Sequence, residues 1–560
     1  MTTQTSSLSS PNSPVQSSKN LEPQVARPIQ EFPPSYWRDH FLTYTCDSLK
    51  IEDYTKQVEV LKEEVRRMLI DTSNTFSQKM ILIEEILRLG VGYHFEMEIG
   101  EGLQQLYTSV HDFVDLYSVS LHFRLLRQHG YTASCDVITK FKDDHGSFTS
   151  KLITDVPGML SLYQATHLRT HGEDILDEAL AFTAHHLKST PENHPLKRQV
   201  EYALIQPYHK GLPRLEAKHY ISFYGEHQDR NETLLKLAKL DFYVLRSQYL
   251  KELRDVTVWW KNLTSELPFV RDRVTEAYFW LMGLNIEPQY SIARVITVKL
   301  ACYLSILDDT YDGYGTIEEL QLLTDAIQRW DVSAIDGLPD YMKLIYRSIL
   351  DFYDETDQEY CKKEGRSYRI QYAKEAMKRM VYAYWTEACW CNQGYVPTVE
   401  EYLSVAGVTA GATKFVISSF IGMGDNVTKE SFDWVLNSDP QIINAVSRII
   451  RVMDDITGYK YDQQRLHVAS VVECYMKEKE YGVSESEACH ELRKIIEKGW
   501  KDLNQCLILS PTSPPMHVLL GVLNYVRNVE VIYKNVSGYT KPHIELKDHI
   551  HLFLIDPVDI

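Results

Sequence analysis

Apolar residues recur at spacings of three and four along most of this chain, as in LLKLAKLDFYVLRSQYL (residues 234–250). That is the period of an amphipathic helix; the alternation of a strand is nowhere sustained long enough to build a sheet. Gly (25) and Pro (21) are few for 560 residues, so the pattern predicts an all-α protein. One helical series runs from about residue 40 to 235, broken by NHP- and GLP-type turns, and a second starts near Leu240 and reaches the end. The polar stretch SFYGEHQDRNETLL lies between apolar flanks and places a boundary near residue 237, giving domains at 27–237 and 238–560. Residues 1–26 are Ser-rich and low in complexity and are expected to be disordered. The segment RPIQEFPPSYW (27–37) reads as an extended strap, because each proline removes a backbone donor and disfavours helix in the residue before it. No solenoid repeat and no Gly-rich phosphate loop is present.

The helical pattern is interrupted by an electrostatic anomaly. The apolar run ARVITVKLACYLSIL (293–307) ends in DDTYD, with Asp308 and Asp312 one turn apart on one face and Asp309 about 100° round the barrel. Like charges are clustered, and they sit at a helix C-terminus, where the macrodipole favours cations. A bound cation would resolve both conflicts. A second acidic cluster, RIIRVMDDITGYKYD (448–462), follows an expected helix start at Asp439 and Pro440. Asp454, Gly458 and Asp462 fall at i, i+4 and i+8, with Arg451 on nearly the same face. If the two helices face each other, five carboxylates converge on one cavity mouth, as in metal sites built between the helices of a bundle. Oxygen-only donors select a hard cation, and Mg²⁺, which keeps waters and shares phosphate oxygens, suits them best. Upstream, FVRDRV places Arg271 and Arg273 on either side of Asp272, and arginine forks onto phosphate bidentately. Carboxylates, Mg²⁺ and arginines describe a diphosphate site; these residues alone leave open whether the diphosphate is transferred, hydrolysed or expelled.

Charge and cysteine content narrow the class. The net charge of −18, from 59 Lys+Arg against 77 Asp+Glu, argues against a nucleic-acid or anionic-membrane partner. Nine cysteines without CxxC pairs suit reduced thiols, and Cys389 and Cys391 read as core residues. The N-terminus has no apolar signal core, and although its Ser content resembles that of a plastid transit peptide, it has no arginine before Arg27. No run approaches the ~18 apolar residues of a membrane span. A cytoplasmic monomer is therefore expected. His167 and His171 beside Glu173 and Asp174 read as a helical surface group, since no HExxH pattern is present.

Together these motifs resemble those of class I terpene synthases. DDTYD at 308–312 is similar to their DDxxD, RDR at 271–273 to their RxR, and DDITGYKYD at 454–462 to their second metal motif, (N/D)DxxSxxxE or its Thr form. Arg27 and Pro28, with Trp37 following, resemble the N-terminal motif of the plant members, and the likeness to plant sesquiterpene synthases runs from about residue 27 to 560. The resemblance implies an N-terminal α-barrel-like domain, vestigial from a class II cyclase, and a C-terminal class I α-bundle. The first domain should be silent, because FKDDHG has Phe141 where the class II DxDD motif begins. It further implies that Asp308, Asp309 and Asp312 hold two Mg²⁺ and that Asp454 and Asp462 hold a third, with Mn²⁺ able to substitute. Arg271, Arg273 and Arg451 would grip the diphosphate of farnesyl diphosphate. Trp280 in EAYFWLMG and Tyr539 in SGYTKP would line the cavity, and GVTAGAT (407–413) would break a helix with its freed carbonyls pointing inward.

Three positions depart from the family pattern: Gly458 replaces Ser or Thr, Asp462 replaces Glu, and Ser537 stands where several relatives carry Asp near Tyr533. The last implies that no neutral germacrene intermediate is reprotonated, so that germacrene- or cadinane-type skeletons, or an alcohol, are the expected products. The competing expectations are a monoterpene synthase using geranyl diphosphate, a chain-elongating prenyltransferase, which would show two DDxxD motifs, and a non-catalytic helical scaffold.

Overall fold

The computed structural model describes residues 34–109, 113–438, 440–464, 467–509 and 514–560. The leader, Arg27 and Pro28 of the strap, and Asp439 lie outside the described residues. Among those described there is no strand, only an isolated bridge between Lys142 and Phe148. Local sequence explains many of the helix starts. Thr75 with Gln78, Thr316 with Glu319 and Thr398 with Glu401 form reciprocal capping boxes, each satisfying two otherwise orphan backbone donors. Asp47, Asp115 and Asn231 cap three more helices through their side-chain oxygens.

The expected boundary at residue 237 falls inside a 33-residue helix, Glu232–Thr264. The polar stretch does interrupt the chain, but earlier: the preceding helix, Pro213–Glu226, ends before a turn that Asn231 closes by accepting the Leu234 N–H at 3.1 Å. Leu234, Leu235 and Leu237 are already buried, so this helix is a spine shared by both halves. Toward the N-terminus it packs on Ser48–Ile70, and toward the C-terminus on Val274–Met282 and Ser291–Gly313. A continuous apolar core accordingly extends from Trp37 to Leu554. Trp37, from the strap, is 4% exposed and meets Phe41 and His551 with ring centroids 5.5 and 5.1 Å away.

Two helical stretches, Pro288–Gly313 and Val399–Ile421, are by length and composition alone apolar enough to cross a membrane. Their apolar windows are 72% and 78% buried inside the protein, which identifies them as core helices. The His167–His171 group is also different from expectation. His167 is buried at the end of the helix Val156–Thr166, while His171 sits in a turn with Nε2 2.7 Å from Asp502 Oδ1. Glu173 instead accepts from Arg127 at 2.6 Å, so the four residues do not converge. All nine cysteines are free thiols.

Candidate active site

The Ser291–Gly313 helix buries nearly all of its length, and its apolar face carries Ala301 and Leu304 up to the three aspartates in its final turns. Across a cavity stands the helix Gln441–Asp462, which starts one residue later than expected, with Pro440 in the N-cap position. Its Ile450 faces the same cavity, followed by Asp454, Gly458 and Asp462 along one stripe. Asp308, Asp312, Asp454 and Asp462 therefore line a single mouth, and Asp309 sits behind them, 2% exposed. The space between the walls is about 1260 Å³, part of it open to solvent.

Each acidic cluster is held by one arginine. Arg271 Nε lies 2.6 Å from Asp309 Oδ1, its backbone N–H donates to Asp309 Oδ2 at 2.7 Å, and its guanidinium also pairs with Asp308. Arg451 Nε lies 2.8 Å from Asp455 Oδ1, and its guanidinium also pairs with Asp454. Burial pushes the Asp309 carboxyl up to about 7 and the Asp454 carboxyl up to about 6, while the adjacent arginines pull each the other way. The mouth thus combines carboxylates that are costly to ionise alone with cations that compete for them.

Arg273 is not brought into the cavity. Its backbone turns into the next helix, and its guanidinium donates to the carbonyl oxygens of Tyr539 at 3.1 Å and Asp272 at 2.9 Å. It lines a separate recess with Ser35, Arg38 and His543, so it braces the loop that carries Tyr539.

The inner wall is aromatic. Trp280 meets Tyr539, Phe415, Tyr525 and Tyr533 with ring centroids 5.6, 5.9, 6.0 and 6.2 Å away. Tyr539 lies under the Arg271 guanidinium at 5.5 Å and shares a hydrogen bond with Ser305. GVTAGAT does break the chain between Val399–Thr409 and Ala412–Ile421, at Gly411 with φ +85°, a conformation that favours glycine. Thr409 and Ala410 reach the cavity wall, but the Ala410 carbonyl accepts the Tyr525 hydroxyl at 3.2 Å, so it is already engaged.

Several lining residues escaped the sequence reading: Tyr384, Glu387, Tyr402, Asp455 and His467. Glu387 is buried among aromatics in YAYWTEACW, accepts from Thr409 Oγ1 at 3.0 Å, and is pushed up to about 8 by burial. A lone acid within an aromatic helical stretch is the local signal that could have found it. Asp455 anchors the cluster, taking the Val471 N–H at 2.7 Å.

Among the described residues no three His, Cys, Asp or Glu side chains stand close enough to hold an ion unaided. A hard octahedral cation takes one or two carboxylates from a protein and completes its shell with phosphate and water. The donor set, all carboxylate oxygens, fits such an ion.

Comparison with known proteins agrees with this geometry. Residues 261–502 match the model of the terpene synthase family, metal binding domain, and residues 36–204 match the terpene synthase, N-terminal domain. A (-)-germacrene D synthase from Vitis vinifera is 52% identical over 551 residues, covering 97% of this chain and 98% of that protein. Sesquiterpene synthase 2 from Toona sinensis is 49% identical, covering 96% and 97%. Among solved structures, limonene synthase with 2-fluorolinalyl diphosphate superposes with a TM-score of 0.89 at 30% identity, covering 95% of this chain and all of that one. Isoprene synthase from grey poplar (Populus x canescens), in complex with three Mg²⁺ ions and dimethylallyl-S-thiolodiphosphate, gives 0.83 at 32%, covering 90% and 98%. With both family models matched in order and relatives aligned over nearly its whole length, the chain belongs to the terpene synthase family, in its sesquiterpene synthase group of terpene cyclases.

Proposed function

We propose that this chain ionises farnesyl diphosphate in a Mg²⁺-dependent step and cyclises the resulting allylic cation, acting as a monomer and releasing diphosphate. The observation that carries the reading is one cavity with carboxylates and two arginines at its mouth and the rings of Trp280, Phe415, Tyr533 and Tyr539 in its wall. Bound Mg²⁺, three ions as in the isoprene synthase complex, would offset the charge that develops on the leaving diphosphate. Asp308, Asp312, Asp454 and Asp462 would hold those ions, with Asp309 supporting Arg271. Mn²⁺ would be the natural substitute.

The protein's own residues do the rest. Arg271 and Arg451 each hold a carboxylate pair at the cavity mouth, and their guanidinium groups would transfer to diphosphate oxygens. Trp280, Tyr533, Tyr539 and Phe415 line the cavity, and aromatic π-systems stabilise a passing cation without offering it a nucleophile. Ser537 donates to Thr540 Oγ1 at 3.0 Å and supplies no acid beside Tyr533. Germacrene- or cadinane-type products, or an alcohol formed by water capture, follow from that arrangement.

The test is incubation of the purified chain with farnesyl, geranyl or nerolidyl diphosphate and Mg²⁺, with volatile products identified by gas chromatography and mass spectrometry. Cyclic sesquiterpenes from farnesyl diphosphate, lost on chelation and in Asp308→Ala, are the expected result. Turnover of geranyl diphosphate alone, consumption of added isopentenyl diphosphate, or a mainly eudesmane product would each refute its part of the reading.

A further inference from the structure

Behind the metal end lies a second recess, whose lining includes Lys460, Tyr461, Glu485, Arg493 and Lys541. Three small residues, Gly458, Ser537 and Thr540, line both this recess and the main cavity, so the wall between the two is only one thin layer. The glycine matters here: a Cβ at position 458 would meet nothing within ordinary contact except Asp462 Oδ2, at 3.2 Å. Three basic side chains face one acid in the recess, and that acid, Glu485, lies 3.9 Å from Lys460. Arg493 and Lys541 are left as excess positive charge, Lys541 lying 5.5 Å above the Tyr461 ring. In a chain with a net charge of −18, a cationic recess against the acidic mouth is a local reversal of sign.

We propose that this recess is a second anion subsite, which takes the inorganic diphosphate freed in the cavity as it leaves for solvent. The inference rests on the function proposed above, since the anion is the leaving group of that reaction. A diphosphate released among carboxylates loses favourable company once its cations loosen, and beyond Gly458 and Ser537 the recess offers Arg493 and Lys541. The Arg493 fork and the Lys541 ammonium are both donors suited to phosphate oxygens.

Because recess and cavity can be filled together, inorganic diphosphate should inhibit the wild-type enzyme in a mixed pattern against farnesyl diphosphate, with competitive and noncompetitive components. The double variant Arg493→Gln/Lys541→Gln should keep the competitive constant and the KM, while its noncompetitive constant rises roughly fivefold, from two partly exposed charge contacts. Lys362→Gln/Lys363→Gln, equal in charge but remote, should behave like wild type and so separates local recognition from net charge. Purely competitive inhibition of the wild type, an unchanged noncompetitive constant in the double variant, or an equal rise in the remote variant overturns the subsite. The first two outcomes leave the cyclase reading standing, whereas absence of any Mg²⁺-dependent diphosphate release from farnesyl diphosphate sinks that reading itself.

Discussion

Replacing Arg271 with glutamine should move metal affinity and turnover in opposite directions. The guanidinium is engaged with Asp308 and lies 2.6 Å from Asp309 Oδ1, so a cation that takes Asp308 must displace it. The Asp308 side chain is 32% exposed, and solvent screening holds such a contact to about 1 kcal/mol. Removing the competitor should therefore tighten Mg²⁺ about fivefold in the absence of substrate. On the proposed function the same group is needed on the diphosphate of the substrate, where a hydrogen bond to charge contributes about 1.5–3 kcal/mol. Turnover should then fall roughly tenfold to 150-fold.

Two assays on one variant decide the matter: calorimetric titration of Mg²⁺ into substrate-free protein, and the rate of diphosphate release at saturating farnesyl diphosphate. Weaker Mg²⁺ binding by Arg271→Gln than by wild type would refute the competition argument, because it would make Arg271 an organiser of the carboxylates instead of their rival. Melting provides a cross-check. Asp309 is almost fully buried, and stripping a buried charge of its partner costs about 3–5 kcal/mol if the charge persists. Its carboxyl already sits up at about 7, so the variant can protonate it in acid and should lose far more stability at pH 8 than at pH 6.

Other predictions follow from the same contacts. Gly458→Ser should tighten Mg²⁺ a few-fold by restoring a hydroxyl between Asp454 and Asp462, and should raise the melting temperature, since glycine within a helix costs about 0.5–1 kcal/mol; a looser metal would count against a ligand role for that position. Glu387→Gln should change stability at pH 7 by less than about 1 kcal/mol, as the native acid is held neutral up to about 8, whereas Glu387→Ala removes the buried bond to Thr409, leaving that hydroxyl only the Ala406 carbonyl at 3.1 Å, and should cost about 1–3 kcal/mol. Equal losses in the two variants, by chemical denaturation, would show that Glu387 is charged. The ligand-free protein should also melt lower as pH rises. Asp454, Asp309 and Glu387 are raised from 3.8, 3.8 and 4.5 to about 6, 7 and 8, so the folded state holds protons that the unfolded state has lost. The stability they contribute is full below about pH 4 and is lost as pH climbs through 6 to 8. Saturating Mg²⁺, which needs the ionised carboxylates, should reverse the slope between pH 6 and 8; a ligand-free melting temperature that rises over that interval would refute it.

What could be read in the chain, and what could not, divides along a physical line. The acidic clusters announced themselves because Asp308 and Asp454 each follow turns of Ile, Leu, Val and Met, where a wet face is implausible, and helical period then fixes which aspartates share a side. The all-α architecture was legible for the same reason. Tyr384, Tyr402 and Tyr533 gave no such signal, because an aromatic residue on an apolar face looks the same whether it abuts another helix or an empty chamber. The two arginines of RDR show how a short motif misleads. At i and i+2 in extended backbone they would point the same way, yet Arg273 has φ −131° and ψ 26° as it enters the helix Val274–Met282, which turns its guanidinium onto the Tyr539 carbonyl while Arg271 keeps the aspartates. Periodicity carries information only where the backbone is regular. Arg271 precedes the helix Val274–Met282, and the Tyr539 carbonyl that Arg273 grips lies in a turn, both outside regular helix, where tertiary packing alone decides direction.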